Sequence, residues 1–115
     1  MTDDERDLER LAAAVAQCTA EFNDALPARV AALRETLVRA RADDPEGVPG
    51  LVDGLHRLAG SAGTFGRADM GERARQLETA CAAAATPGLP AGGTDGPGLA
   101  AVLDEVAAFI DELDR

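Results

Sequence analysis

The chain has 115 residues and a formal net charge of −10. That length suits a single domain, 1–115, which buries roughly two-thirds of its unfolded surface and needs no disulfide or metal staple to fold. The acidic balance argues against a nucleic-acid backbone or an anionic membrane surface as partner, because both require a basic face. No stretch is long and apolar enough to span a bilayer. The acidic start, Met1 to Arg6, is the opposite of a basic signal peptide. Two cysteines, Cys18 and Cys81, are too few for a disulfide scaffold, so a reduced, cytoplasmic chain is expected. All eleven basic residues are Arg, which with the abundant Ala fits a GC-rich genome. A single histidine, His56, excludes any site that needs two His ligands from one chain, and no metal site is expected.

Helical periodicity dominates the pattern. Leu8, Leu11, Val15, Cys18 and Phe22 alternate by three and four, placing them on one face expected to be buried, with Asp3 or Asp4 as cap. A second stripe, Leu26, Val30, Leu33, Leu37 and Ala40, keeps the phase. The two stripes lie either on one long helix kinked at Pro27 or on two helices, the second starting near Asp24. Asp43 to Gly50 reads as a turn rich in breakers. A further stripe follows, Leu51, Leu55, Leu58, Ala62 and Phe65, and Gly66 suits a left-handed C-cap. Asp69 and Glu72 have capping-box spacing before a stripe of Met70, Ala74, Leu77, Cys81 and Ala84. Eight of the thirteen residues in 86–98 are Gly or Pro, a density that marks a loop. The last stripe runs Leu99, Val102, Leu103, Val106, Phe109, Ile110 and Leu113. With no strand signal, the pattern predicts an all-α antiparallel four-helix bundle with a kinked or extra N-terminal helix. Both cysteines fall on apolar stripes and are expected as buried thiols.

The helix holding His56 breaks local preference. Gly54, Gly60 and Gly63 lie inside it, and each costs about 1 kcal/mol relative to Ala. Spacing sets His56, Ala59, Gly60 and Gly63 on a ridge apart from the Leu stripe. Such a bare ridge serves either close approach by a partner or tight packing against another helix of the bundle. Asp53, one turn before His56, is placed either to orient the imidazole or to sit in solvent. Ser61 has the spacing to bond a carbonyl one turn earlier. The acidic ends, Asp3 to Asp7 and Asp111 to Asp114, read as solvated termini.

The run Leu55-His56-Arg57-Leu58-Ala59-Gly60-Ser61-Ala62-Gly63-Thr64-Phe65-Gly66 resembles the signature of histidine-containing phosphotransfer (HPt) domains. The matching positions are His56, Leu58, Gly60, Ser61, Ala62 and Gly66, with Met70, Leu77 and Glu78 downstream and Phe22, Leu26, Pro27 and Leu33 upstream. The resemblance covers about residues 20–80 and implies a four-helix bundle with an exposed acceptor, His56. It implies a phosphorelay carrier without kinase activity of its own, phosphorylated on the Nε2 nitrogen. The partners implied are receiver domains of response regulators and hybrid sensor kinases, with Arg57, Ala59, Gly60 and Gly63 as docking surface and Ser61 and Gly66 in support. No cofactor is expected on this chain, Mg²⁺ being the receiver's, and a monomer is expected because the His56 face stays open. Many members of the family carry Lys where this chain has Ala59; Arg67, Arg73 and Arg75 read first as ordinary solvated residues and otherwise as replacements for that charge. The alternative function is a degenerate HPt-like module that docks receivers without carrying phosphate.

Overall fold

The computed structural model describes residues 2–85 and 98–114. The expected loop over 86–98 lies, apart from Gly98, outside the described residues. Four helices form in order: α1 (Asp3–Arg41), α2 (Gly47–Thr64), α3 (Ala68–Ala85) and α4 (Leu99–Leu113). The packed pairs are α1–α2, α2–α3, α3–α4 and α4–α1, which close a ring around one core. Among the described residues no helix is long and apolar enough to cross a membrane.

α1 runs unbroken through Pro27 for 39 residues, so no extra N-terminal helix exists. Its cap is Thr2 rather than Asp3 or Asp4. The Glu5 amide donates to Thr2 Oγ1 at 3.2 Å, and the Thr2 amide donates to Glu5 Oε2 at 3.2 Å, a reciprocal box that satisfies two end donors. Phe22, Leu26, Val30, Leu33, Leu37 and Ala40 are buried as the periodicity requires. The preceding part of the stripe is not: Leu8, Leu11 and Val15 are 66%, 61% and 51% exposed, and Cys18 is exposed too. Length explains the difference. α1 extends about 58 Å at ~1.5 Å per residue, whereas its neighbours α2 and α4 reach about 27 and 22 Å, so nothing in the chain's described part lies alongside the first half. This arm makes the molecule 63 × 26 × 23 Å.

The turn expected to reach Gly50 ends earlier, because α2 begins at Gly47 and takes Pro49 into its first turn, where a missing N–H costs nothing. Leu51, Leu55 and Ala62 are fully buried and Leu58 is nearly so. At the other end Gly66 adopts φ 80°, and the Arg67 amide donates to the Ala62 carbonyl at 2.8 Å, the left-handed stop its position suggested. α3 starts at Ala68, so Asp69 is a first-turn acid rather than a cap, and Glu72 accepts from Arg75 at 3.4 Å. Ala74, Leu77 and Cys81 are buried, while Met70 and Ala84 are half-buried.

α2 and α3 approach closely at one point. A Cβ added at Gly71 would lie 3.0 Å from the Ala59 carbonyl oxygen and 3.1 Å from the Gly63 nitrogen, both backbone atoms. α4 buries Val102, Leu103, Val106, Phe109 and Ile110. Its acidic end is not simply solvated: Arg34 of α1 bridges Asp111 at 3.1 Å and Asp114 at 3.0 Å, and Arg41 reaches Asp104 at 2.8 Å. The hydrogen bond that Arg34 donates to Asp111 holds its guanidinium above its ordinary pKa. These pairs are exposed, so they set the register of α4 on α1 more than they stabilise it.

Phe65, expected in the core, is only half-buried and stacks at a tilt on Phe22 with ring centroids 5.6 Å apart. Leu55→Ala is therefore expected to cost about 2–5 kcal/mol, and Phe65→Ala about 1–3 kcal/mol because part of the ring already meets water. Denaturant unfolding of the two variants checks that order. Gly71→Val is expected to cost about 1–3 kcal/mol by forcing the α2 and α3 backbones apart, and thermal unfolding reads it directly.

Candidate functional site

α2 has two faces of opposite character. Leu51, Leu55, Leu58 and Ala62 anchor one face in the core, and the arc opposite, with Asp53, His56, Arg57 and Gly60, is exposed. His56 is one of these, with its side chain 72% exposed. Nδ1 of the ring lies 2.9 Å from Glu78 Oε1 on α3, whose side chain is only 22% exposed. A carboxylate only accepts, so Nδ1 carries the hydrogen and the neutral ring keeps its lone pair on Nε2. This contact supplies the orientation that spacing left open for Asp53. Asp53 instead pairs with Arg57 at 3.1 Å, one turn along the same helix.

The ridge divides. Gly60 and Gly63 are exposed, and a Cβ on either would meet no atom within 4 Å. Ala59 is only 4% exposed, with its carbonyl turned to Gly71, so its side chain belongs to the core and not to the docking surface. Spacing grouped it with the ridge because residue 59 lies between the exposed and buried arcs, and α3 covers that boundary. Both readings of the ridge therefore hold in part: α3 packs against the Ala59 edge while the Gly60 edge stays open.

Between α1 and α2 runs an open groove of about 720 Å³ that includes His56, Arg57, Gly60, Ser61, Asp53 and Arg29. Arg29 comes from α1 and holds its guanidinium 5.4 Å from the centre of the Phe22 ring. The three arginines considered as replacements for the missing Lys make other contacts: Arg67 with Asn23 at 2.8 and 3.2 Å, Arg73 with Gln76 at 3.4 Å, and Arg75 with Glu72 at 3.4 Å. The back-bond anticipated for Ser61 is made by Thr64, to the Gly60 carbonyl at 3.0 Å, while Ser61 is half-buried beside the groove. Gly66 acts at the helix stop already described.

Of the two thiols, Cys81 is buried, and burial, with a smaller push from the Glu105 charge, raises its pKa to about 11. It offers no appreciable thiolate near neutral pH. Among the described residues no group of three or more His, Cys, Asp or Glu is gathered for a metal.

A family model described as the Hpt domain matches residues 3–115. The chain belongs to the Hpt domain family. No curated protein and no solved structure matches it. The match extends the local resemblance around His56 over nearly the whole chain, arm included. Hpt domains are phosphotransfer modules of two-component signalling, carriers rather than kinases, and the family implies interaction with receiver domains.

Glu78 and Arg29 escaped the sequence reading as groove and ring partners. For Glu78 a signal exists: an antiparallel hairpin folded about residue 67 reflects position 56 onto position 78. In Glu78→Ala the neutral His56 ring is expected to gain a substantial Nε2–H population. Long-range ¹⁵N–¹H NMR of the ring measures this, and an unchanged tautomer ratio would count against an orienting role.

Proposed function

We propose that His56 is the phosphoacceptor of this Hpt domain, taking a phosphoryl group from a receiver aspartate and passing it to another. The observation that carries the reading is an exposed imidazole held through Nδ1 by Glu78, which leaves Nε2 as the nucleophile. Nε2 attacks the phosphorus of the receiver's aspartyl phosphate. A P–N bond forms, the P–O bond to the aspartyl carboxylate breaks, and that carboxylate leaves with the electron pair. The phosphorylated ring retains Nδ1–H and becomes cationic, and the Glu78 carboxylate beside it offsets that charge. Attack by a second receiver carboxylate reverses the sequence and restores the neutral ring.

Gly60 and Gly63 keep the surface after His56 bare, and the reacting atoms need an approach of about 3–3.5 Å. Arg29 and Arg57 line the groove at the acceptor and take the electrostatic part that the family's Lys plays elsewhere. In this scheme Mg²⁺ belongs to the receiver, and the carrier works in a bacterial cytoplasm.

The test is transfer of labelled phosphate from a phosphorylated receiver. His56→Gln should abolish uptake without loss of helicity, and the wild-type product should be acid-labile and base-stable. Label retained on His56→Gln would overturn the reading, and binding without uptake by the wild type would favour a docking module. Gly60→Ala should stabilise the free domain by about 0.5–1 kcal/mol. Gly60→Gln should keep the melting temperature while slowing transfer, since the side chain enters open space on the fold and contested space in the complex. Arg29→Ala should slow transfer about tenfold, the loss of one charge-assisted contact.

A further inference from the structure

The exposed arm is the feature that phosphotransfer leaves unexplained. Residues 3–21 of α1 carry Leu8, Leu11, Val15 and Cys18 on one face, in phase with the buried Phe22 and Leu26, and no other described helix covers them. The flanking Ala12 and Ala14 are small and neutral, which permits close helix approach. We propose that this face pairs with the same face of a second copy of the chain, antiparallel, with Leu8 against Cys18 of the second copy and Leu11 against its Val15.

Three observations select this occupant and direction. First, an antiparallel register whose paired residue numbers sum to 26 uses all four apolar residues of each arm and leaves none over. Second, the stripe continues into each chain's own core at Phe22. Parallel pairing would drive the two bundles into the same space, whereas antiparallel pairing sets them at opposite ends of the joined arms. Third, charge agrees. The first turn of α1 is acidic, with Asp3, Asp4 and Glu5. Parallel arms would stack two such turns, while antiparallel arms hold them about 25 Å apart, well beyond the ~8 Å screening length. In the same register Glu5 of the second copy lies on the flank that carries Asn23, within two residues of its level. There Arg67, whose hydrogen-bond partner is the neutral Asn23 amide, offers a cation to the incoming acidic turn. One like-charge contact, Asp7 with Glu21 of the second copy, occurs twice by symmetry and falls at the outer edge in water, where its cost is small. Both His56 rings stay clear, on bundles at opposite ends.

Sedimentation equilibrium of the full chain should show a concentration-dependent dimer. Leu11→Glu should weaken it about a hundredfold, since two apolar contacts are lost per dimer, and Arg67→Glu should weaken it about fivefold. Leu11→Glu should leave the thermal unfolding of the bundle unchanged, and Arg67→Glu, which also loses two exposed hydrogen bonds to Asn23, should lower it only slightly. Mild oxidation adds a direction readout, because a disulfide needs Cα atoms within about 7 Å. Leu8→Cys should cross-link to Cys18 of the second copy, and adding Cys18→Ser should remove the link. The wild type should not cross-link, because its two Cys18 side chains stand about 15 Å apart in this register. A wild type that stays monomeric at all concentrations overturns the proposal, as does ready Cys18–Cys18 linkage in the wild type, which requires parallel arms.

Discussion

The contact on which the site depends is the backbone approach of α3 to α2 at Gly71. With no side chain there, the α3 backbone comes down on the Ala59 carbonyl and the Gly63 amide. Two turns further along α3, Glu78 then falls within 2.9 Å of His56 Nδ1. A bulkier residue at 71 would lift α3 off α2, and the carboxylate would lose the ring. The orientation of an exposed imidazole is thus controlled from a buried glycine two turns distant.

The rest of α2 follows from dividing one helix between two tasks. Leu51, Leu55, Leu58 and Ala62 hold it in the core, so the opposite arc can be exposed without risk to the fold. Glycine at 60 and 63 sacrifices helix propensity on that arc, and the open space around both positions shows that no packing among the described residues requires it. The stability lost there is small beside the burial of the Leu stripe. The ring of four packed helices tolerates it.

The arm and the bundle obey the same heptad logic with different outcomes. Phe22 onward finds α2 and α4 alongside, and Leu8 to Cys18 finds no described element of the chain. An apolar stripe in phase along 39 residues is one sequence pattern, but its burial depends on what lies beside each segment. A second copy would supply for the arm what α2 to α4 supply for the rest.

By itself the sequence determined the five apolar stripes, the left-handed stop at Gly66, the solitary His56 on an outward arc and the family signature around it. These are local matters, set by helical period, by backbone sterics and by residue identity over one or two turns. Tertiary structure decided the others. It buried Ala59 under α3, exposed Leu8, Leu11, Val15 and Cys18, half-exposed Phe65, and gave the His56 ring to Glu78 rather than to Asp53. It also moved Asp111 and Asp114 from free ends to partners of Arg34. Each of these depends on which helix lies alongside and how far it reaches. Period shows which face is apolar, but it carries neither the length of a neighbour nor the closeness of its backbone.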